Sequence, residues 1–285
     1  MNLSNRSTTT IAARLFAAVC LSSTALWSSA VIRAADAPAP DTATEIARRP
    51  ITVLVVGNSQ CPIFVGQKFL EKLADSDKGA RPIKVVGCVK GGASLKSHWE
   101  AGEGPTTARG MIAAGTGRSG TSAAEPFDFI VLQEIYNAKP EAFQPYARQF
   151  HEFVTKHKSQ PVFFGTASII SDYPKGFERL HKMHVDIARE LKVPVVDASQ
   201  AYFRYFGDAP SKEKMESLFA ADKAHPGVQG SYMYSCIIYS VLTGRSPVGL
   251  AAPETIPADV AKALQENAWA QYQATAADIK TETKP

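Results

Sequence analysis

After residue 35, no stretch of this 285-residue chain is long and apolar enough to span a bilayer, which needs about 20 apolar residues. Cysteine is scarce, at four residues, and no internal repeat is visible. Charge of either sign is not in marked excess, with 31 Lys and Arg against 27 Asp and Glu. A near-balanced chain has no electrostatic footprint for nucleic acid, so that class of partner is set aside. Histidine is also sparse. His181 and His184, three apart, offer two imidazoles to a metal, but no third ligand stands near them in sequence, and a solvated helix edge is the simpler reading.

What the first 35 residues contain is a different matter. Arg6 and Arg14 precede "LFAAVCLSSTALWSSAVI", and "RAADAPAP" then supplies small residues suited to cleavage. That layout predicts a secretory signal peptide over 1–35 and export to a periplasm or the medium. A membrane anchor fits less well, because the run is short and broken by serines and a threonine. Cys20 as a lipidation site is disfavoured by Val19 before it. Removing residues 1–35 takes away Arg6, Arg14 and Arg33 and no acid, lowering the formal charge from +4 to about +1. No stable membrane insertion is expected after cleavage. Residues 36–50, "DAPAPDTATEIARRP", read as a polar linker, and 51–285 as a single domain. Its three cysteines, Cys61, Cys88 and Cys236, allow at most one internal bridge. Cys61 and Cys88 both lie at predicted strand ends, so either a bridge between them or buried thiols is compatible with the sequence.

Short apolar runs recur at 51–57 (ITVLVVG), 82–88 (PIKVVGC), 127–133 (FDFIVLQ), 161–167 (PVFFGTA) and 193–198 (VPVVDA). They are unbroken rather than alternating, the pattern of strands covered on both faces. Between them, 140–157 and 177–191 carry apolar residues at three- and four-residue intervals, as amphipathic helices do. "SYMYSCIIYSVLTG" (231–244) reads as a mostly buried helix. Strand–helix–strand alternation predicts a three-layer α/β domain, with five candidate strands in one parallel sheet. Residues 101–126, rich in Gly, Thr, Ser and Ala, are expected to form a surface excursion beside the active edge.

Ligands of open parallel sheets bind beyond the carboxyl ends of the strands. Four polar clusters fall there: Gly57-Asn58-Ser59, "GGASLKSHW" (91–99), "LQEIYN" (132–137) and "DKAHPG" (222–227). Acyl transfer needs an activated hydroxyl, a base, a group to orient the base, and donors for an oxyanion. Ser59 on a tight turn suits the nucleophile and its backbone N–H one donor. His225 suits the base, and Asp222, three residues earlier, its orienting carboxylate. Gly92 can bring its N–H close to a ligand. Gln133 offers a side-chain amide, with Asn137 as the weaker choice. Asp197, ending a strand, ranks second as the triad acid. His98 and Trp99 are candidates for lining a substrate groove, although a core Trp is equally compatible. Each motif alone has a plainer reading: Gly-Asn-Ser as an ordinary turn, "GGASL" as a strand-to-helix turn, and Asp222 as a cap for backbone N–H groups.

Taken in order, these motifs resemble the SGNH/GDSL-type serine hydrolases, over roughly residues 50–248. "VGNSQ", "GGASLKSHW", "VLQE" and "HPGVQGSYMYSCIIYSVLTGRSP" are most similar to a bacterial branch with Gly-Asn-Ser in place of Gly-Asp-Ser. The resemblance implies a flavodoxin-like α/β/α sandwich, a Ser59–His225–Asp222 triad, and an oxyanion hole from Ser59 and Gly92. The family's Gly-x-Asn-Asp block is absent, so the third donor falls to Gln133 or Asn137. No cofactor or metal is implied. The expected activity is hydrolysis of an acetyl or short-acyl ester, with the carbohydrate as partner implied by the family alone. The rival readings are an acyltransferase using the same triad and a catalytically silent carbohydrate-binding protein.

Overall fold

A computed structural model describes residues 49–116 and 125–281. The signal peptide expected at 1–35 and most of the 36–50 linker lie outside the described residues, as do positions 117–124 of the expected excursion.

Five parallel strands form one sheet in the order β2-β1-β3-β4-β5: β1 (Ile51–Gly57), β2 (Ile83–Val89), β3 (Phe129–Gln133), β4 (Gln160–Gly165) and β5 (Val195–Asp197). The valine-rich run of β1 has no polar face because neither side of it sees water. Val53 and Val55 enter the core of one layer, and Leu54 and Val56 that of the other. The first layer is built on α1 (Pro62–Gly66), α2 (Phe69–Ser76), α7 (Ala198–Phe206), α9 (Val228–Thr243) and α10 (Ala258–Thr281). The second uses α3 (Leu95–Glu100), α4 (Ala108–Ala114), α5 (Pro140–Lys156) and α6 (Lys175–Leu191). The short α8 (Lys212–Glu216) lies on the surface before the Asp222 loop. The three-layer arrangement expected from the sequence is therefore present. No described helix is long and apolar enough to cross a membrane.

Because the chain runs from β1 outward to β2 and then returns to place β3 on the other side of β1, the carboxyl ends of β1 and β3 flank a topological switch point. The most buried helix packs against β5 and against α1, α2 and α10 of the first layer. α9 is covered almost all round, as an apolar helix in a core must be. Ser235 and Ser240 are tolerated there because they return their hydroxyls to the carbonyls four residues back, at 3.0 Å each.

Two expectations change, and one alternative left open is decided. Residues 101–126 are not all excursion: Thr107 caps α4 through the Gly110 N–H, and Ala108 and Ile112 are buried. Of the alternatives for the cysteines, buried thiols hold: the three in the described residues, Cys61, Cys88 and Cys236, are free and buried. Cys61 packs in one layer and Cys88 in the other, so the sheet itself separates them. His181 and His184 do not form a solvated edge. His184 is fully buried against Phe143, with ring centroids 4.5 Å apart, and burial lowers its pKa to about 4. His181 instead bonds Asp197 at 2.6 Å, and Gln271 of α10 donates to the same carboxylate oxygen at 3.2 Å. Asp197 thus ties α6 and α10 to the end of β5.

Candidate active site

β1 ends at Gly57 because nothing larger fits. A Cβ there would stand 2.5 Å from Gln133 Oε1 and 2.6 Å from Cys61 Sγ. Beyond it the chain turns, and Asn58, 1% exposed, holds the turn on three sides. Its N–H donates to Gln133 Oε1 at 2.8 Å, its Oδ1 accepts the Gln60 N–H at 3.1 Å, and its Nδ2 donates to Ala93 O at 3.0 Å. The last bond gives a physical reason for asparagine: an aspartate could accept from Gln60 but could not donate to a carbonyl. Gly57→Ala is expected to cost about 1–3 kcal/mol in urea unfolding through overpacking, and to lower ester turnover with it.

The turn presents Ser59, whose Oγ lies 2.8 Å from His225 Nε2, across 166 residues of chain. His225 Nδ1 lies 2.6 Å from Asp222 Oδ2. A carboxylate only accepts, so the proton sits on Nδ1, leaving the Nε2 lone pair to receive the serine hydroxyl proton. Asp222 meets the plainer reading at the same time. Its Oδ1 accepts the N–H groups of Ala224 and His225, at 3.0 Å each. Those two amides, His225 first, together with the imidazole hold its carboxyl down at about 2. It therefore stays ionised throughout the range in which a histidine base works. Asp197, the second-ranked acid, is engaged with His181 instead.

The loop bearing His225 is fastened to the sheet edge. A bridge pairs Phe219 with Pro226, and Ala220 N–H donates to His225 O at 2.8 Å. Gln60 Nε2 donates to Ala224 O at 3.0 Å, linking the residue after Ser59 to the residue before His225. Sequence reading passed over Gln60. Its only signal is position, next to Ser59 in "GNSQ".

The segment after β2 is held just as closely. Lys90 N–H donates to Gly57 O at 3.0 Å, and His98 Nε2 meets the same carbonyl at 2.9 Å. Burial depresses the pKa of His98, and facing a carbonyl it is a neutral donor. His98 therefore braces α3 against β1 rather than lining a groove. Trp99 packs edge-on against Phe150 and Phe153 of α5, with the Arg109 guanidinium 4.5 Å from its ring centre. Ser94 and Ser97 form a reciprocal capping box at the start of α3. Gly92 is exposed and has φ +68°, a left-handed conformation that other residues adopt only with strain. Among the described residues, the N–H groups of Ser59 and Gly92 have no hydrogen-bond partner.

Gln133 sits differently from the expectation of a substrate-facing donor. It is fully buried beneath the turn, with Oε1 committed to Asn58 N–H and to the Cys61 thiol, at 2.9 Å. Those two donors fix which end of the amide is oxygen, leaving Nε2 buried without a partner. Asn137 is exposed on the turn after β3, which Arg179 of α6 secures through the carbonyls of Tyr136 and Ala138. Among the described residues, neither side chain is hydrogen-bonded to Ser59.

No protein-family model matches the chain, and no curated protein matches it. Solved structures do. A DUF4886 family protein from Bacteroides uniformis is 18% identical, with TM-score 0.58 over 79% of this chain and 95% of its own. LAE5, an alpha/beta hydrolase enzyme from the metagenome of Lake Arreo, Spain, is 12% identical, with TM-score 0.50 over 69% of this chain and 96% of its own. The protein YXIM of Bacillus subtilis is 16% identical, with TM-score 0.50 over 68% of this chain and 56% of its own. At these identities the likeness is one of fold, a flavodoxin-like α/β/α sandwich on a five-stranded parallel sheet.

Proposed function

We propose that the chain is a serine hydrolase that cleaves a carboxylic ester through an acyl-enzyme, with Ser59 as nucleophile, His225 as base and then acid, and Asp222 as its orienting carboxylate. The observation that carries this reading is the continuous relay from Ser59 Oγ to His225 Nε2 at 2.8 Å and from His225 Nδ1 to Asp222 at 2.6 Å. In this mechanism the Ser59 proton passes to His225 Nε2 as Oγ bonds to the carbonyl carbon. The Ser59 and Gly92 amides receive the negative charge that forms on the carbonyl oxygen. Collapse breaks the ester C–O bond, and the leaving alkoxide takes the proton from His225. Water then repeats the sequence on the acyl-serine, releasing the acid and restoring the hydroxyl. Gln133 serves by gripping the turn beneath the nucleophile.

The preferred substrate in this reading is a small acyl group, acetyl foremost, on a large polar alcohol such as a carbohydrate. Support comes from the openness of the triad: the Asp222 side chain is 52% exposed and that of His225 40%. A shelf of this kind admits a bulky hydrophilic alcohol. It also leaves water free to reach the acyl-enzyme, which favours hydrolysis over transfer to a second sugar. The intact relay speaks against a silent carbohydrate-binding protein. Export before the protein acts remains part of the proposal, on the strength of residues 1–35.

A fluorophosphonate probe tests the central claim. It should label the wild-type protein stoichiometrically, and peptide mass spectrometry should place the adduct on Ser59. A protein that fails to label, or that carries the adduct elsewhere, is not this enzyme. Acetate release from acetylated oligosaccharides, compared with release from long-chain acyl esters, tests the substrate class.

A further inference from the structure

Glu134 follows Gln133 at the end of β3 and is 1% exposed. Its Oε1 accepts the Ile135 N–H at 2.7 Å, and its Oε2 the N–H of Leu95, the first residue of α3, at 3.3 Å. No salt bridge reaches it among the described residues. An ionised carboxylate buried without a cation is costly, and fold alone gives no reason to keep one. Burial pushes its pKa up to about 7.

The charged and titratable groups on the surrounding elements are otherwise occupied or exposed. On α3, His98 is a neutral donor to Gly57, while Lys96 and Glu100 pair with each other at 3.8 Å on the surface. On α6, Arg179 binds the carbonyls of Tyr136 and Ala138 and the Asp172 carboxylate. Lys139 and Glu141, where α5 begins, are exposed. The turn after β1, Gly57 to Cys61, has no charged residue.

We infer that Glu134 is a positioning residue for the reaction proposed above: its carboxylate fastens the first turn of α3, and with it the loop carrying the Gly92 amide, to the end of β3. The inference rests on the hydrolase reading and deepens it. Only two residues, Ala93 and Ser94, separate Leu95 from Gly92. Asn58 grips the same segment through Ala93 O, so the loop is held from the β1 side by Asn58 and from the β3 side by Glu134. An oxyanion donor must be in place before charge develops, and small displacements there are expensive in rate. Protonation turns one carboxylate oxygen into a hydroxyl and weakens the hold on Leu95.

The test is kcat and KM for p-nitrophenyl acetate from pH 5 to 9 in wild type and Glu134→Gln, with fluorophosphonate labelling and thermal melting of both. Glu134→Gln should fold and label at Ser59. At pH 8 its kcat should fall about tenfold while KM stays within about twofold, the signature of an interaction realised in the transition state. On the acid side, wild-type kcat/KM should fall with the steepness of two ionisations, the base and Glu134, and the variant with that of one. Wild-type kinetics showing a single ionisation overturn the inference even if the variant fails to fold. A folded variant with wild-type kcat and an unchanged profile overturns it too. A wild-type protein that does not label removes the hydrolase reading and this inference together, whereas labelling with an indifferent variant removes the inference alone.

Discussion

Ser59→Ala should abolish hydrolysis of p-nitrophenyl acetate, by roughly 10⁴–10⁶-fold in kcat, while the melting temperature stays within a few degrees of wild type. The size of the loss follows from the chemistry: without Oγ there is no acyl-enzyme, and only residual binding and oxyanion stabilisation remain. The mildness for the fold follows from the packing. Ser59 is partly exposed, and among the described residues its hydroxyl bonds only His225, while the turn is held by the Asn58, Gln60 and Gln133 contacts. Alanine keeps the backbone N–H, so the variant should still bind substrate. Steady-state kinetics with calorimetry on the same preparation checks both halves. Wild-type turnover in the variant would remove Ser59 from the mechanism.

Asp222→Asn should lower kcat by about 10²–10⁴-fold with little change in KM. An asparagine amide facing His225 Nδ1 can present its NH₂, which stabilises the wrong tautomer and leaves Nε2 protonated and unable to receive the serine proton. Its carbonyl oxygen can still accept the Ala224 and His225 amides, so the loop should keep its shape. Asp197→Asn is the control. That carboxylate joins α6 to α10 through His181 and Gln271, so its loss should show in stability and leave kcat largely unchanged. The opposite pattern would exchange the roles of the two aspartates. Urea titration alongside kinetics of both variants distinguishes the cases.

Much of the sheet was legible because burial on both faces leaves a plain mark: a run such as Val53–Val56 has no reason to be entirely apolar unless covered from two sides. Strand ends were less so. β3 begins at Phe129 and β5 stops at Asp197, each slightly inside the apolar run, since pairing rather than hydropathy sets the limit. α4 was missed because only Ala108 and Ile112 need burial, and Gly110 lets the helix lie against the backbone of Glu103 and Gly104. α10 is rich in alanine, and beside Ala261, Leu264 and Ala268 the positions it buries are the polar Gln265, Gln271 and Thr275, so its apolar periodicity is faint.

At the site, the hydroxyl, imidazole and carboxylate could be named because acyl transfer demands those groups at strand ends in that order. Gln60 and Glu134 could not. Each acts on a backbone atom of a distant segment, Ala224 O or Leu95 N–H, and a backbone partner leaves no residue type to recognise. Gln133 was named for its amide, but which end of an amide faces the ligand depends on neighbours such as Asn58 N–H and the Cys61 thiol, which only the folded chain supplies.

The three thiols of the described region, all free and buried, have a practical consequence. Burial raises the pKa of Cys61, Cys88 and Cys236 away from the reactive thiolate, and each stays a reduced thiol. Maturation of this domain thus calls for neither an oxidant nor a disulfide isomerase. Reductants in a purification buffer have nothing to cleave, and a reducing host cytoplasm is as suitable for producing it as an oxidising one.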